Sequence, residues 1–464
     1  MRLKHWSLGG GRMTSKFEAK LRVSVFLALS LVLAGTVLGL LSHWHIENAS
    51  ACAFGAYRPA TYEGAENRAI YMTAIEAASV NKLFPEDSQF SLDTLEQGDR
   101  YNRASTGGHI PATLVKGIAW IETKMTMATK STMWSGVGDS TISFDCGHGI
   151  MQVTTGMTTP LGADNQPSDT QALTATHFAY NIARGVKILG TKWNNAPESA
   201  PIMGTDTNSS PEIIENWYYA TWAYNGFTGA GSSSSNHPLD ARFPWPRTPY
   251  LCNGSQSHNQ FPYQELVWGC IKNPPSVNGN KLWEAVPVSL PDLNNPNVRS
   301  ALAPSNFFAP YMNMDLITPK PSHSELILSP TNDQIQVIVG NPIFSASDRT
   351  HTIRINNPAA TMWVDVPVKN FGTGLSTWRA KSDSGFLQLS PPTGIAIGSD
   401  YECNSYLCDE NSLRIEVNPT LLPGSYATGT VTIWSPNTTT DPIKIQINVL
   451  ADFELTFPGS SKKE

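Results

Sequence analysis

The stretch HIPATLVKGIAWIETKM, residues 109–125, decides how the chain is read. Pro111 has the fixed φ that suits the first turn of a helix, and Leu114, Ile118 and Ile121 recur at the spacing of one apolar stripe. Val115, Ala119 and Glu122 fall on the adjacent stripe. The pattern therefore predicts a helix that carries one carboxylic acid, Glu122, among Ile118, Trp120 and Ile121. An acid held in apolar surroundings loses solvation in its charged form, so its pKa rises and it keeps its proton near neutral pH. Such a group can act as a general acid.

Outward from this helix the period stays helical. Ile70, Ala74, Ala77 and Ala78 mark a helix within Arg68 to Phe84, stopped by Pro85. Further helices are expected at Asp169 to Trp193 and at Pro211 to Tyr224, the second ending at Gly226. Residues 287–330 contain eight prolines and read as a linker. Beyond them the period drops to two: QIQVIV at Gln334, TIRI at Thr352, WVDVPV at Trp363, FLQLS at Phe386, SLRIEV at Ser412, TVTIW at Thr430 and IKIQINV at Ile443. Seven short alternating runs between Gly, Pro and Asn turns predict a β-sandwich. The expected fold class is thus multidomain: a mainly α domain followed by an all-β immunoglobulin-like sandwich.

The 464 residues are 40% hydrophobic, only 15% charged and carry a net charge of −6, which gives no footprint for nucleic acid. Arg2, Lys4, Arg12, Lys16, Lys20 and Arg22 precede Val23 to Leu41, an uncharged and mainly apolar run. As a helix it spans about 28 Å, enough to cross a membrane with its basic flank inside. It predicts export, either by an uncleaved anchor or by a signal cut near Ala51 or Ala53. The expected divisions are a cytoplasmic segment 1–22, the export helix 23–41, a helical domain 60–285, a linker 286–330, a sandwich 331–452 and a tail 453–464. An extracytoplasmic chain with six cysteines is expected to hold disulfides, Cys403 with Cys408 and Cys252 with Cys270 as local pairs, which leaves Cys52 and Cys146. There is no CxxC pair and no HExxH, and neither metal nor cofactor is expected.

Two more stretches complete a constellation. GHGIMQVTTG, residues 147–156, sets a polar amide, Gln152, after a glycine-rich backbone, and ATWAYNG closes a helix at Gly226. With Glu122-Thr123, Gly149-Ile150-Met151-Gln152 and Tyr224-Asn225 in this order, the region from Ile110 to Gly226 resembles the lytic transglycosylases of the soluble-transglycosylase type, relatives of the goose-type lysozymes. Their usual signature is Glu-Ser, Gly-Leu-Met-Gln and Ala-Tyr-Asn. The resemblance implies a lysozyme-like helical domain acting on peptidoglycan glycan strands, with Glu122 as acid and then base and a 1,6-anhydro ring as product. It implies that Gln152 and Asn225 bind the amino sugar and that Tyr224 brings a phenol to the acid. Thr123 stands in place of Ser and keeps the hydroxyl. Gly147 and Gly149 are expected to let backbone approach a ligand, and Met151 to pack. Asp139 or Asp145, in a longer insert than the family has, could supply a second carboxylate and make the reaction hydrolytic. A surface or core role suits His148 better than catalysis, and a Cys146 nucleophile is disfavoured in an oxidising compartment. WRAKSDSGFLQLSPPTGI, PGSYATGTVTIWS and IKIQINV together resemble BACON and related immunoglobulin-like modules. A non-catalytic wall-binding surface protein is the alternative to an enzyme.

Overall fold

The chain is described by a computed structural model at residues 52–54, 58–158, 166–228, 230–231, 233–302, 315–325, 329–405, 408 and 411–452. The basic segment, the run from Val23 to Leu41 and the tail 453–464 lie outside these residues. Among the described residues no helix is long and apolar enough to cross a membrane.

Strand β1 (Ala60–Glu63) and helix α1 (Ala69–Ser79) come first, then the hairpin β2 (Glu96–Gly98) and β3 (Arg103–Ser105). Helix α2 (Ala112–Thr123), strand β4 (Gly136–Asp139), and helices α3 (Asp169–Thr176), α4 (Phe178–Ser199), α5 (Tyr218–Tyr224) and α6 (Tyr263–Lys272) follow. A small hairpin of β5 (Ser276–Val277) and β6 (Asn280–Lys281) and helix α7 (Pro296–Ala301) end this part.

Helix α2 is its centre. Pro111 sits at the N-cap with φ −57°, and the helix ends where Lys124 turns left-handed at φ 60° and donates its N–H to the Ala119 and Trp120 carbonyls. Leu114, Val115, Ile118 and Ala119 are fully buried. Gly117 lets α6 lie close, since a Cβ there would meet Val267 and Ile271 at 3.2 and 3.3 Å. The first turn is capped from far away in sequence: the Glu325 carboxylate accepts from Thr113 N at 2.9 Å and from Thr113 Oγ1 at 2.8 Å. A carboxylate at a helix N-terminus satisfies orphan donors and complements the dipole.

The proline-rich segment is built into this part wherever it is described. Val288, Leu293, Ala301, Leu302 and Leu316 are buried in its core. The Glu215 carboxylate accepts from Ser289 N at 3.0 Å and His323 N at 2.8 Å, and the His323 ring meets it at 2.7 Å. Prolines rule out regular structure there but do not stop apolar side chains from docking.

Helix α8 (Asn332–Val339) leads into β7 (Phe344–Ala346), β8 (Thr350–Ile355), β9 (Met362–Asn370), β10 (Leu375–Ser382), β11 (Leu387–Ser390), β12 (Thr393–Ile397), β13 (Ser412–Val417), β14 (Tyr426–Trp434) and β15 (Ile443–Ala451). They make a five-stranded sheet, β12-β10-β14-β15-β8, and a four-stranded sheet, β11-β13-β9-β7. All pairs are antiparallel except β15 with β8. The sheets enclose Trp378, Leu413, Ile415, Val431, Ile433, Ile445 and Ile447.

The expected fold class is corrected. A mainly α lysozyme-like domain followed by an all-β immunoglobulin-like sandwich does not describe the chain, which is mixed α/β, about a quarter helix and as much strand. Three two-stranded sheets sit among the helices, because Gly- and Thr-rich stretches such as residues 126–142 favour extended backbone over helix. Conversely, the alternating run at Gln334 forms α8, where a Thr331–Gln334 capping box sets the first turn and Ile335 and Ile338 share the buried face. The two parts keep separate cores that touch where they meet. Leu375 and Ile395 belong to the N-terminal core, Thr176 and Thr377 share a buried hydroxyl contact at 2.8 Å, and Arg379 pairs with Asp169 at 2.6 Å.

Candidate functional site

The loop that carries Gln152 doubles back on itself through bridges from Ile142 to His148 and from His148 to Val153. The Cys52–Cys146 disulfide ties it to the start of the described chain, and two further disulfides join Cys252 to Cys270 and Cys403 to Cys408. Asn181, fully buried on α4, holds the loop's backbone: its Oδ1 accepts from Met151 N at 2.9 Å and its Nδ2 donates to His148 O at 2.7 Å. A buried amide with both ends engaged fixes a loop that has no regular structure of its own.

Glu122 lies in the last turn of α2, half-buried at the edge of a cleft of about 450 Å³. Burial raises its pKa to about 7, and the nearby Asp145 charge pushes the same way. The negative end of the α2 dipole acts in that direction too. Against these, Tyr263 on α6 donates its hydroxyl to Glu122 Oε1 at 2.5 Å, and the Asn225 amide also favours the charged form. Burial holds the Tyr263 phenol well above its usual pKa, so it stays a donor. An acid poised near neutrality can both give and take a proton.

Tyr224 and Asn225 end α5 and line the cleft together with Gln152 and Asp145. The Tyr224 hydroxyl donates to Met151 O at 2.7 Å, which couples α5 to the loop. The phenol that bonds to the acid is therefore that of Tyr263. The Asn225 side chain is held by Asn236, whose Nδ2 donates to Asn225 Oδ1 at 2.8 Å. Thr123 joins the helix to the loop, its hydroxyl donating to Ile150 O at 3.0 Å.

Of the four residues Gly149 to Gln152, only Gln152 faces the cleft. It adopts φ 45° and its Nε2 donates to Gly149 O at 2.9 Å, which leaves Oε1 as an acceptor. Ile150 and Met151 are fully buried, Met151 against Gly185 of α4. Gly149, at φ 64°, faces the protein rather than a ligand: a Cβ there would lie 2.5 Å from Asn181 Nδ2 and 2.7 Å from Met127 Sδ. A Cβ on Gly147 would meet Ser143 Oγ at 2.7 Å. Gly149 thus serves internal packing rather than a ligand-facing backbone, while a Cβ on Gly147 would also lie 2.9 Å from Oε1 of the cleft-facing Gln152. His148 is buried, its Nδ1 2.6 Å from Cys146 O and its pKa lowered to about 4 by burial, so the ring is neutral.

Asp145 lines the cleft, while Asp139 sits exposed on β4. The Ser143 hydroxyl donates to Asp145 Oδ1 at 2.5 Å. Among the described residues no group of three or more His, Cys, Asp or Glu side chains gathers as a metal site.

Three residues were not singled out in the sequence. Tyr263 sits in FPYQELVWG, where Pro262 and the buried Val267 mark a helix but nothing marks the tyrosine. Asn181 is a lone polar residue on the apolar face of a long helix, which is itself a signal. Lys192, the one basic residue lining the cleft among the described residues, carries no local mark.

No protein-family model matches the chain, and no curated protein does. Solved structures match parts of it. The periplasmic chaperone SfaE does so at 12% identity over 25% of this chain and 60% of its own, with a TM-score of 0.19. The PapD-like domain 7 of human CEP192 matches at 13% identity over 29% of this chain and 97% of its own, TM-score 0.18. A Bacteroides ovatus GH5 xyloglucanase in complex with a heptasaccharide matches at 12%, over 24% and 19%, TM-score 0.16. The chain thus spans less than two thirds of the chaperone, and at such TM-scores these likenesses carry no weight for fold or function.

Proposed function

We propose that this protein is an exported lytic transglycosylase that cuts the β-1,4 bond between MurNAc and GlcNAc in peptidoglycan strands. The observation that carries this reading is Glu122, a carboxylic acid raised to about 7 at the wall of an open cleft, with a phenol and an amide on it. Glu122 gives its proton to the glycosidic oxygen as the C1–O bond breaks, and the GlcNAc end leaves as an alcohol. The MurNAc C6 hydroxyl then attacks C1, and the Glu122 carboxylate takes that hydroxyl's proton. The new C1–O6 bond closes the 1,6-anhydro ring, the acid is restored and no water is used. Tyr263 holds the carboxylate oriented through both transfers, and Gln152 and Asn225 offer the amide groups that an N-acetyl sugar can pair with. The three disulfides support an extracytoplasmic location.

Asp145 favours a second reading. It lies in the same cleft and acts electrostatically on Glu122, so it could activate a water and make the enzyme a hydrolase. Mass spectrometry of muropeptides released from purified walls tests the proposal. Anhydro ends made by the native chain and absent with Glu122→Gln support it. Wall fragments released equally by Glu122→Gln refute it.

A further inference from the structure

Helix α4 runs along the cleft, and Ile188 and Lys192, one turn apart on one face, both line it. Two other basic residues of this helix are engaged. Arg184 donates to Gln89 O at 2.8 Å, and Lys187 pairs with Asp93 at 2.5 Å. Lys192 has no carboxylate within ion-pair distance among the described residues, although it is half-buried. It lines the same cleft as Glu122, Gln152 and Asn225.

We propose that Lys192 is the specificity determinant of the cleft and binds a carboxylate carried by the glycan, so that the site takes anionic amino-sugar strands over neutral ones. The inference rests on the glycan-cleaving reading above and deepens it. Among the described residues Glu122 and Asp145 are the acidic groups of the lining, and Lys192 is placed to offset their repulsion of an anionic strand. A half-buried ammonium with three donors and no ion-pair partner among the described residues gains most from a ligand carboxylate. In a muramyl strand that carboxylate has two sources. A bare strand exposes it on the C3 lactyl ether, and a substituted strand carries it on the stem peptide.

The test measures equilibrium binding with the full chain carrying Glu122→Gln, so that strands are held without depending on turnover. Three probes are compared: peptide-free muramyl strands, peptide-bearing strands, and the neutral β-1,4 hexamer of N-acetylglucosamine. Adding Lys192→Met should weaken the favoured anionic strand about tenfold or more, the worth of a hydrogen bond to a charged group, and bring it down to the affinity of the neutral hexamer. The salt dependence of binding should fall with it. Lys192→Arg should keep the preference. Which anionic strand loses affinity identifies the carboxylate. An anionic preference that survives Lys192→Met overturns the proposal, as does an equal loss on all three probes. Glycan cleavage that persists in Glu122→Gln alone would instead sink the catalytic reading, and binding of no strand at all would sink both.

Discussion

Replacing Tyr263 with Phe removes one hydroxyl from beneath the proposed acid and little else. The ring is buried on α6 and its hydroxyl donates to Glu122 Oε1 at 2.5 Å. That bond favours the carboxylate over the carboxylic acid, so it opposes the burial that lifts Glu122 to about 7. A hydrogen bond to a charged group is worth about 1.5–3 kcal/mol, and one pKa unit is about 1.4 kcal/mol, so its loss should raise the pKa by about one to two units. The acid must be protonated to start the reaction, so activity falls as pH rises through its pKa. In Tyr263→Phe the alkaline limb of kcat/KM against pH should therefore move to higher pH by that amount. The maximum rate should fall as well, since the carboxylate loses its orientation and is a less ready base. The assay is wall clearing at fixed ionic strength across pH 5 to 10. A limb that stays in place, or moves toward acid, would refute the assignment of Tyr263 and of Glu122 as the titrating group.

Other outcomes follow from the same geometry. Asp145→Asn removes a charge that raises the Glu122 pKa, so the alkaline limb should shift to lower pH, the opposite of Tyr263→Phe, in the same clearing assay. Glu122→Gln should lower clearing by about 10²–10⁴-fold and flatten the pH dependence of stability. The native Glu122 pKa of about 7 lies above the unfolded value of 4.5. Its contribution is therefore full below pH 4.5 and lost as pH rises through 7, at most about 3 kcal/mol. Glu63, raised to about 7 by burial, titrates in the same direction and stays in the variant, so melting between pH 5 and 8 should show a smaller decline, not none. Removing the Cys52–Cys146 disulfide, which spans 94 residues, should cost about 4–5 kcal/mol by chain entropy, read from denaturant midpoints. Gly149→Ala would place a methyl 2.5 Å from Asn181 Nδ2 at φ 64°, and urea titration should show a loss of about 1–3 kcal/mol or more.

What the sequence shows plainly is what depends on local period. Pro111 and the Leu114, Ile118 stripe mark α2, and Glu122 stands out as the one acid on its apolar end. The alternating runs from Thr352 to Val449 are strands because a half-buried sheet face demands a period of two. Where two rules compete, the local pattern misleads. QIQVIV alternates, yet its Thr-x-x-Gln cap and the buried Ile335 and Ile338 make it helix. Long-range partners leave no mark in sequence. Glu325 caps α2 from more than two hundred residues away, Tyr263 reaches Glu122 across 141, and Leu375 crosses into the other core. Gly149 is conspicuous as a residue, but whether it faces a ligand or Asn181 depends on which helix packs behind it.

Digestion of purified walls in water enriched in oxygen-18 tests the central claim most directly. If Glu122 acts as acid and then base on the sugar's own C6 hydroxyl, the muropeptides carry 1,6-anhydro ends and take up no label. Labelled reducing ends as the main product would contradict that account and leave Asp145 as the group that activates water.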